Sequence, residues 1–197
     1  MEAYLDNSAT TRVDAQVQEL MKKLMDVDFG NPSSRHQKGV VAEGYIKEAR
    51  QKIAATLKVD PKELIITSGG TESNNMALIG TALAAKRKGN HIITTAVEHP
   101  SVKATASFLE EQGFRITFLS VDSRGQISLE DLKEALTPDT ILVSIMYVNN
   151  EIGTIQPVEE AAKLVHATVP GAVFHVDAIQ AYGKVMIRPK QQGIDLL

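Results

Sequence analysis

Leu64-Ile65-Ile66-Thr67-Ser68-Gly69-Gly70-Thr71-Glu72-Ser73-Asn74-Asn75 begins as an apolar run, breaks on two glycines and leads into a segment of helical character. Residues 64–67 read as a short buried strand, and residues 72–88 as the helix that follows. The same order recurs downstream. Apolar runs at 92–96, 116–119, 141–148 and 173–176 alternate with helix-like stretches at 101–112, 129–136 and 158–169, several of them preceded by a turn or cap residue. Strands apolar on both faces and separated by helices imply an α/β protein with a mostly parallel sheet covered by helices.

Upstream, Val17, Leu20, Met21 and Leu24 recur at helical spacing from near Asp14, and this helix should end before Gly30-Asn31-Pro32. Residues 34–57 carry Val40, Val41, Tyr45, Ile46, Ala49 and Ile53, with charges largely on the other face, which predicts an amphipathic helix packed on a surface. There is no internal repeat, low-complexity tract or linker, so a single α/β unit is the simplest account.

The chain has 197 residues, 43% hydrophobic and 23% charged, the balance of a globular domain with its own core. Lys plus Arg number 21 against 24 for Asp plus Glu, so no positive field draws the chain to nucleic acid or an anionic membrane. The start, Met1-Glu2-Ala3-Tyr4-Leu5-Asp6, lacks a basic segment followed by an apolar one, and no later run reaches bilayer-spanning length. A cytoplasmic protein is expected. With no cysteine there is no disulfide, thiolate metal site or cysteine nucleophile in these residues.

In open α/β sheets ligands bind beyond the carboxyl ends of the strands. The residues at those ends are Ser68-Gly69-Gly70-Thr71-Glu72, Val97-Glu98-His99-Pro100, Asn149-Asn150-Glu151-Ile152-Gly153 and Asp177-Ala178-Ile179-Gln180. Gly69-Gly70-Thr71 permits a tight turn and offers the N–H groups of a helix start to an anion such as phosphate. It is neither a Walker A motif nor Gly-x-Gly-x-x-Gly, and an ordinary turn capped by Thr71 is the other reading. His99 reads either as a loop or capping residue, before a helix that Ser101 could cap, or as a flat ring able to stack on a planar cofactor and carry a proton. His175-Val176-Asp177 places two possible metal ligands on one strand face, but no third and fourth ligand stand at supporting spacing. Asp177 ends an apolar run, and a carboxylate there needs a cation. A lysine or arginine would serve, and so would the protonated ring nitrogen of pyridoxal phosphate.

In order and wording these segments resemble the cysteine desulfurases, a branch of the fold-type I pyridoxal-phosphate enzymes that includes the class V aminotransferases. The resemblance runs end to end, through Tyr4-Leu5-Asp6-Asn7-Ser8-Ala9-Thr10-Thr11, Gly30-Asn31-Pro32-Ser33-Ser34-Arg35-His36, Thr67-Ser68-Gly69-Gly70-Thr71-Glu72-Ser73-Asn74-Asn75, Glu98-His99-Pro100-Ser101, Val148-Asn149-Asn150-Glu151-Ile152-Gly153 and His175-Val176-Asp177-Ala178-Ile179-Gln180. It implies pyridoxal 5′-phosphate as cofactor and L-cysteine as substrate, with sulfur leaving as an enzyme persulfide and alanine as the other product. Thr71 and the backbone beside Gly70 would hold the phosphate, His99 would stack on the ring and relay protons, Asp177 would pair with the ring nitrogen, and Gln180 would reach the phenolic oxygen. Asn150 would fix the substrate carboxylate or that same oxygen, and Asn7 and the turn at 31–34 would lie near the substrate entrance.

The resemblance further implies a homodimer, a sulfur-acceptor or scaffold protein as partner, and a longer chain. On that reading residues 1–197 are the N-terminal arm and most of the cofactor-binding large domain, truncated before its last part and before the small domain. The cofactor-anchoring lysine, the acceptor cysteine and the substrate-clamping arginine are then absent, Lys184 and Lys190 do not stand in the lysine's motif position, and the chain alone is expected to be inactive. A strand expected from Ile194 is cut short, leaving an apolar edge. Another class V enzyme, such as a selenocysteine lyase or an aminotransferase, and a non-catalytic cofactor-binding fragment or split-enzyme subunit are the alternatives.

Overall fold

The alternating runs become a four-stranded parallel sheet, made of β1 (His91–Thr95), β2 (Arg115–Leu119), β3 (Thr140–Ser144) and β4 (Val173–His175) in the order β2-β1-β3-β4. Every residue of β1 and β3 is buried, so both faces of the sheet are covered, as continuous rather than alternating apolar strands require. The covering helices are α3 (Gly70–Ala85), α4 (Pro100–Glu111), α5 (Leu129–Ala135) and α6 (Val158–Thr168), and a short α7 (Pro189–Gln192) packs on α6. α3 lies against α4 and touches β3 and β4, while α5 lies against α6 and touches β2. Leu78, Ala82, Ile92, Val102, Leu109, Phe114, Ile141 and Leu142 form the core between α3, α4 and the sheet.

The computed structural model describes residues 2–197, which form two compact units, one ending at Ile65 and the other Ile66–Leu197. The first contains α1 (Ala15–Asp26), α2 (Gln37–Leu57) and a 3₁₀ turn, Pro61–Glu63. α1 buries no residue, and α2 buries Gly39, Ala42, Ala54 and Leu57 while Val40, Val41, Ile46 and Ile53 stay exposed. The predicted apolar face of α2 is therefore not the packed one, and the expectation of a single unit gives way to two. No helix among the described residues is long and apolar enough to cross a membrane.

Residues 64–67 depart from expectation. They are extended but unpaired, with Ile65 71% and Ile66 60% exposed. A strand exists only with a ladder partner, and none lies beside them among the described residues. The run 141–148 is shorter as a strand than predicted, although Ile145 and Tyr147 N–H groups still bond the carbonyls of His175 and Asp177. Beyond α7, the expected segment at 194–197 runs parallel to β4, with Val176 N–H bonded to Leu196 O.

Candidate functional site

The loops after β1, β3 and β4 and the start of α3 meet at the carboxyl edge of the sheet, the place where an open α/β sheet offers polar groups to a ligand. α3 begins at Gly70 after the cap position Gly69, which has no side chain to bond the first-turn N–H groups. Thr71 lies inside the first turn and does not cap it, so the reading of a turn capped by Thr71 is corrected. The preceding loop is instead folded onto the helix by Glu72, whose Oε2 accepts from Ser68 Oγ at 2.5 Å and Ser68 N–H at 2.7 Å. The Ser68 hydroxyl, then its N–H, holds the Glu72 carboxyl below its ordinary value. A side chain at Gly70 would overlap Ile179 Cδ1, so the helix start and the loop carrying Asp177 approach as closely as glycine allows.

Asp177 is 6% exposed. Its Oδ1 accepts from Ile179 N–H at 3.0 Å and its Oδ2 from Asn74 Nδ2 at 2.8 Å. No lysine or arginine among the described residues pairs with it. Asn74 Nδ2 also donates to Ser101 Oγ at 3.0 Å, and Ser101 Oγ lies 2.8 Å from His99 Nδ1. His99 is the cap of α4, its Nδ1 accepting from Ser101 N–H at 3.1 Å, so the helix opens at Pro100 and Ser101, expected as its cap, lies in the first turn. His99, an exposed residue, thereby caps a helix and is linked through Ser101 and Asn74 to Asp177.

Around this chain of bonds sit groups whose roles the sequence did not reveal. Glu98 is buried, its Oε1 accepting from Thr95 Oγ1 and Met146 N–H, both at 2.8 Å, and its Oε2 has no hydrogen-bond partner. Burial pushes its carboxyl up to about 7, with the nearby Asp177 charge acting the same way against the two hydrogen bonds. Asn149 donates to Val97 O at 3.0 Å and accepts from Glu151 and Ile152 N–H at 2.9 and 3.0 Å, which fixes the loop carrying the half-buried Asn150 beside the loop carrying His99. Gln180 is half-buried, and its Oε1 accepts from Lys184 Nζ at 3.0 Å.

The structure thus ties Gly70 to the loop carrying Asp177 through Ile179, and His99 to Asp177 through Ser101 and Asn74, with Thr71 next to Gly70 in the first turn of α3; Asn150 and Gln180 lie on the loops after β3 and β4. Asn7 belongs to the N-terminal unit, where its amide donates to Tyr4 O at 3.3 Å, as does the turn at 31–34, closed by Asn31 Oδ1 on Ser33 N–H. His175 and Asp177 do not act as a pair: His175 Nδ1 lies 2.9 Å from Ser144 Oγ, and burial, against the Asp177 charge, lowers its ring to about 4. No group of three or more histidine, cysteine or carboxylate side chains suited to a metal ion gathers among the described residues. The signal that could have found Asn74 and Asn149 was their position beside Asn75 and Asn150, where one of two adjacent asparagines turns inward.

Residues 3–197 match the family model described as Aminotransferase class-V. The chain is 49% identical over 196 residues to Cysteine desulfurase IscS of Dictyoglomus turgidum, covering 100% of this chain and 49% of that protein. It is 48% identical to Cysteine desulfurase IscS of Methanosarcina thermophila, covering 98% of this chain and 48% of that one. Among solved structures it superposes on a NifS-like protein with TM-score 0.96 at 42% identity, over 99% of this chain and 53% of the other. A structure described as SspA in complex with cysteine gives TM-score 0.93 at 39% identity, over 98% of this chain and 55% of the other. The chain spans about half the length of the relatives it matches.

Proposed function

Because the chain belongs to the class-V aminotransferase family, we propose that it carries the cofactor-binding face of a cysteine desulfurase-like enzyme, one that holds pyridoxal 5′-phosphate and, in the full protein, takes sulfur from L-cysteine. Asp177 carries the reading. A carboxylate taken from water needs a positive partner, the described residues supply none, and a protonated pyridine nitrogen meets the need. Uncapped N–H groups at the start of a 16-residue helix suit a phosphate, and Gly70 keeps the approach clear. The donor set and the shape of the cradle fit the cofactor.

When bound, pyridoxal 5′-phosphate withdraws electrons and so stabilises negative charge at the substrate Cα. Thr71 and the Gly70 backbone would hold its phosphate, Asp177 would keep its ring nitrogen protonated, and Gln180 would bond its phenolic oxygen. His99 would stack on the ring and move a proton, and Asn150 would orient the substrate carboxylate or the phenolic oxygen. The overall reaction balances as L-cysteine plus an acceptor thiol giving L-alanine plus a persulfide. The thiol comes from outside these residues, which contain no cysteine. The names of the relatives, and the cysteine in the SspA complex, favour this substrate over those of other class V enzymes.

The test is alanine and sulfide release by the full-length protein supplied with pyridoxal 5′-phosphate, L-cysteine and a thiol reductant. One alanine per sulfide is expected. Cofactor bound without alanine formation would overturn the desulfurase assignment, and failure to bind the cofactor would overturn the whole reading.

A further inference from the structure

Asn74 lies one turn into α3, 3% exposed, and its amide nitrogen donates twice, to Asp177 Oδ2 at 2.8 Å and to Ser101 Oγ at 3.0 Å. The direction of both bonds is forced. A carboxylate oxygen only accepts, so the NH₂ end of Asn74 must face Asp177, and that nitrogen has no lone pair to offer Ser101. Ser101 Oγ therefore accepts from Asn74 and has its own proton left for His99 Nδ1, 2.8 Å away. The same ring nitrogen accepts the Ser101 backbone N–H at 3.1 Å. With two donors aimed at it, Nδ1 cannot carry a proton, and the proton of the neutral ring sits on Nε2.

We propose that Asn74 is a positioning residue whose two amide protons orient both Asp177 and, through Ser101, His99, so that Nε2 is the His99 atom that exchanges protons with a bound ligand. The proposal rests on His99 and Asp177 facing the cofactor, and it adds one buried amide that sets the geometry of both. Removing Asn74 should disturb two groups that have no direct hydrogen bond to each other. A purely structural asparagine would lower stability without changing the hydrogen bonding of the His99 ring.

The ring nitrogens report this directly, without the cofactor. In cofactor-free full-length protein labelled with 15N-histidine, with His99 assigned by loss of its signals in His99→Gln, two-bond 1H–15N spectra should show Nε2 protonated and Nδ1 unprotonated. Ser101→Ala removes one of the two donors and should move the Nδ1 resonance towards that of a non-bonded imidazole nitrogen. Asn74→Leu and Asn74→Ala should move it the same way by a smaller step, because the Ser101 hydroxyl is then free to turn. A proton found on Nδ1 in the parent overturns the proposal, as does an Nδ1 signal unmoved by Ser101→Ala or by a folded Asn74 variant. If neither Asn74 variant folds, the parent tautomer and Ser101→Ala still decide it. Failure to bind pyridoxal 5′-phosphate would instead sink the functional reading and leave these spectra unchanged.

Discussion

Glu98 and Met146 are joined by a 2.8 Å bond from the Met146 backbone N–H to Glu98 Oε1, while Glu98 Oε2, equally buried, has no partner. A half-satisfied buried carboxyl is held near neutrality, and its folded value of about 7 lies above the ordinary 4.5. The folded state therefore favours the proton. The resulting stability is fully present below pH 4.5 and is lost as pH rises through about 7, roughly 3 kcal/mol in all. Glu98→Gln, which mimics the protonated acid, should flatten this decline. Melting temperatures measured from pH 5 to 9 decide it, and parallel profiles for parent and variant would refute it.

On the acid side the histidines act in the opposite direction. His91, bonded to Thr140 and Thr117 hydroxyls, and His175, bonded to Ser144, are both lowered to about 4 by burial. Their contribution is present above the ordinary 6.5 and is lost as pH falls through about 4. Between about pH 4.5 and 6.5 the two histidines take up about two protons on unfolding while Glu98 releases about one. Calorimetric unfolding in buffers of different ionisation enthalpy should thus show a net uptake of about one proton for the parent and about two for Glu98→Gln. Equal uptake in both would show that Glu98 is not the opposing group.

In the full-length protein Asp177→Asn should cut turnover at least about a hundredfold, near 2.7 kcal/mol of barrier, because the ring nitrogen loses the charge that keeps it protonated. The substituted amide, accepting Ile179 N–H with its oxygen, would also set its NH₂ against the NH₂ of Asn74, donor against donor. Steady-state alanine formation is the measurement. A change within about threefold, roughly 0.7 kcal/mol, would remove Asp177 from the cofactor site.

How much of this was legible in the residues depends on whether the cause is local. β1 to β4 and α3 to α6 were readable because each is an apolar or periodic run set off by turn residues in its own stretch of sequence, α5 also by the cap Ser128. Residues 64–67 were misread as a strand because pairing is decided by a neighbour that no local pattern reveals. The candidates Gly70, Thr71, His99 and Asp177 stood out in the sequence because a glycine pair before a helix, an isolated histidine and a carboxylate ending an apolar run are out of place in a simple core. Asn74, Glu98 and Asn149 were quoted only as flanking letters, since their burial comes from packing α3 and two loops against residues 48 to 103 positions away.

Gly70 gives a prediction in which one change should mend another. An added methyl at position 70 meets the exposed tip of Ile179, so Gly70→Ala forces that side chain aside and narrows the approach to the helix N-terminus. Affinity for pyridoxal 5′-phosphate should fall by about 1–2 kcal/mol, in the range of overpacking costs. Gly70→Ala combined with Ile179→Ala should recover most of the loss, a non-additivity expected of touching residues. Equilibrium titration with the cofactor checks both, and additive losses would show that the methyl blocks the ligand itself.

The two adjacent asparagines after β3 should separate stability from function. Asn149 is buried and makes three bonds that hold the loop, to Val97 O and from Glu151 and Ile152 N–H. Asn149→Ala leaves the Val97 carbonyl and two loop N–H groups without that partner, so unfolding free energy should drop by about 1–3 kcal/mol. Asn150 is half-buried, and its proposed role is towards cofactor or substrate. Asn150→Ala should therefore melt within about 0.5 kcal/mol of the parent, the range of surface substitutions, yet lose turnover or raise KM for L-cysteine. Asn149→Ala should also lose turnover, but with its loss growing on warming as the loop detaches, whereas the Asn150→Ala loss should stay constant below the melting range. Denaturant unfolding and steady-state kinetics on both variants settle the division. If Asn150→Ala is the one that unfolds early, or if Asn149→Ala is as stable as the parent, the roles of the two residues are reversed.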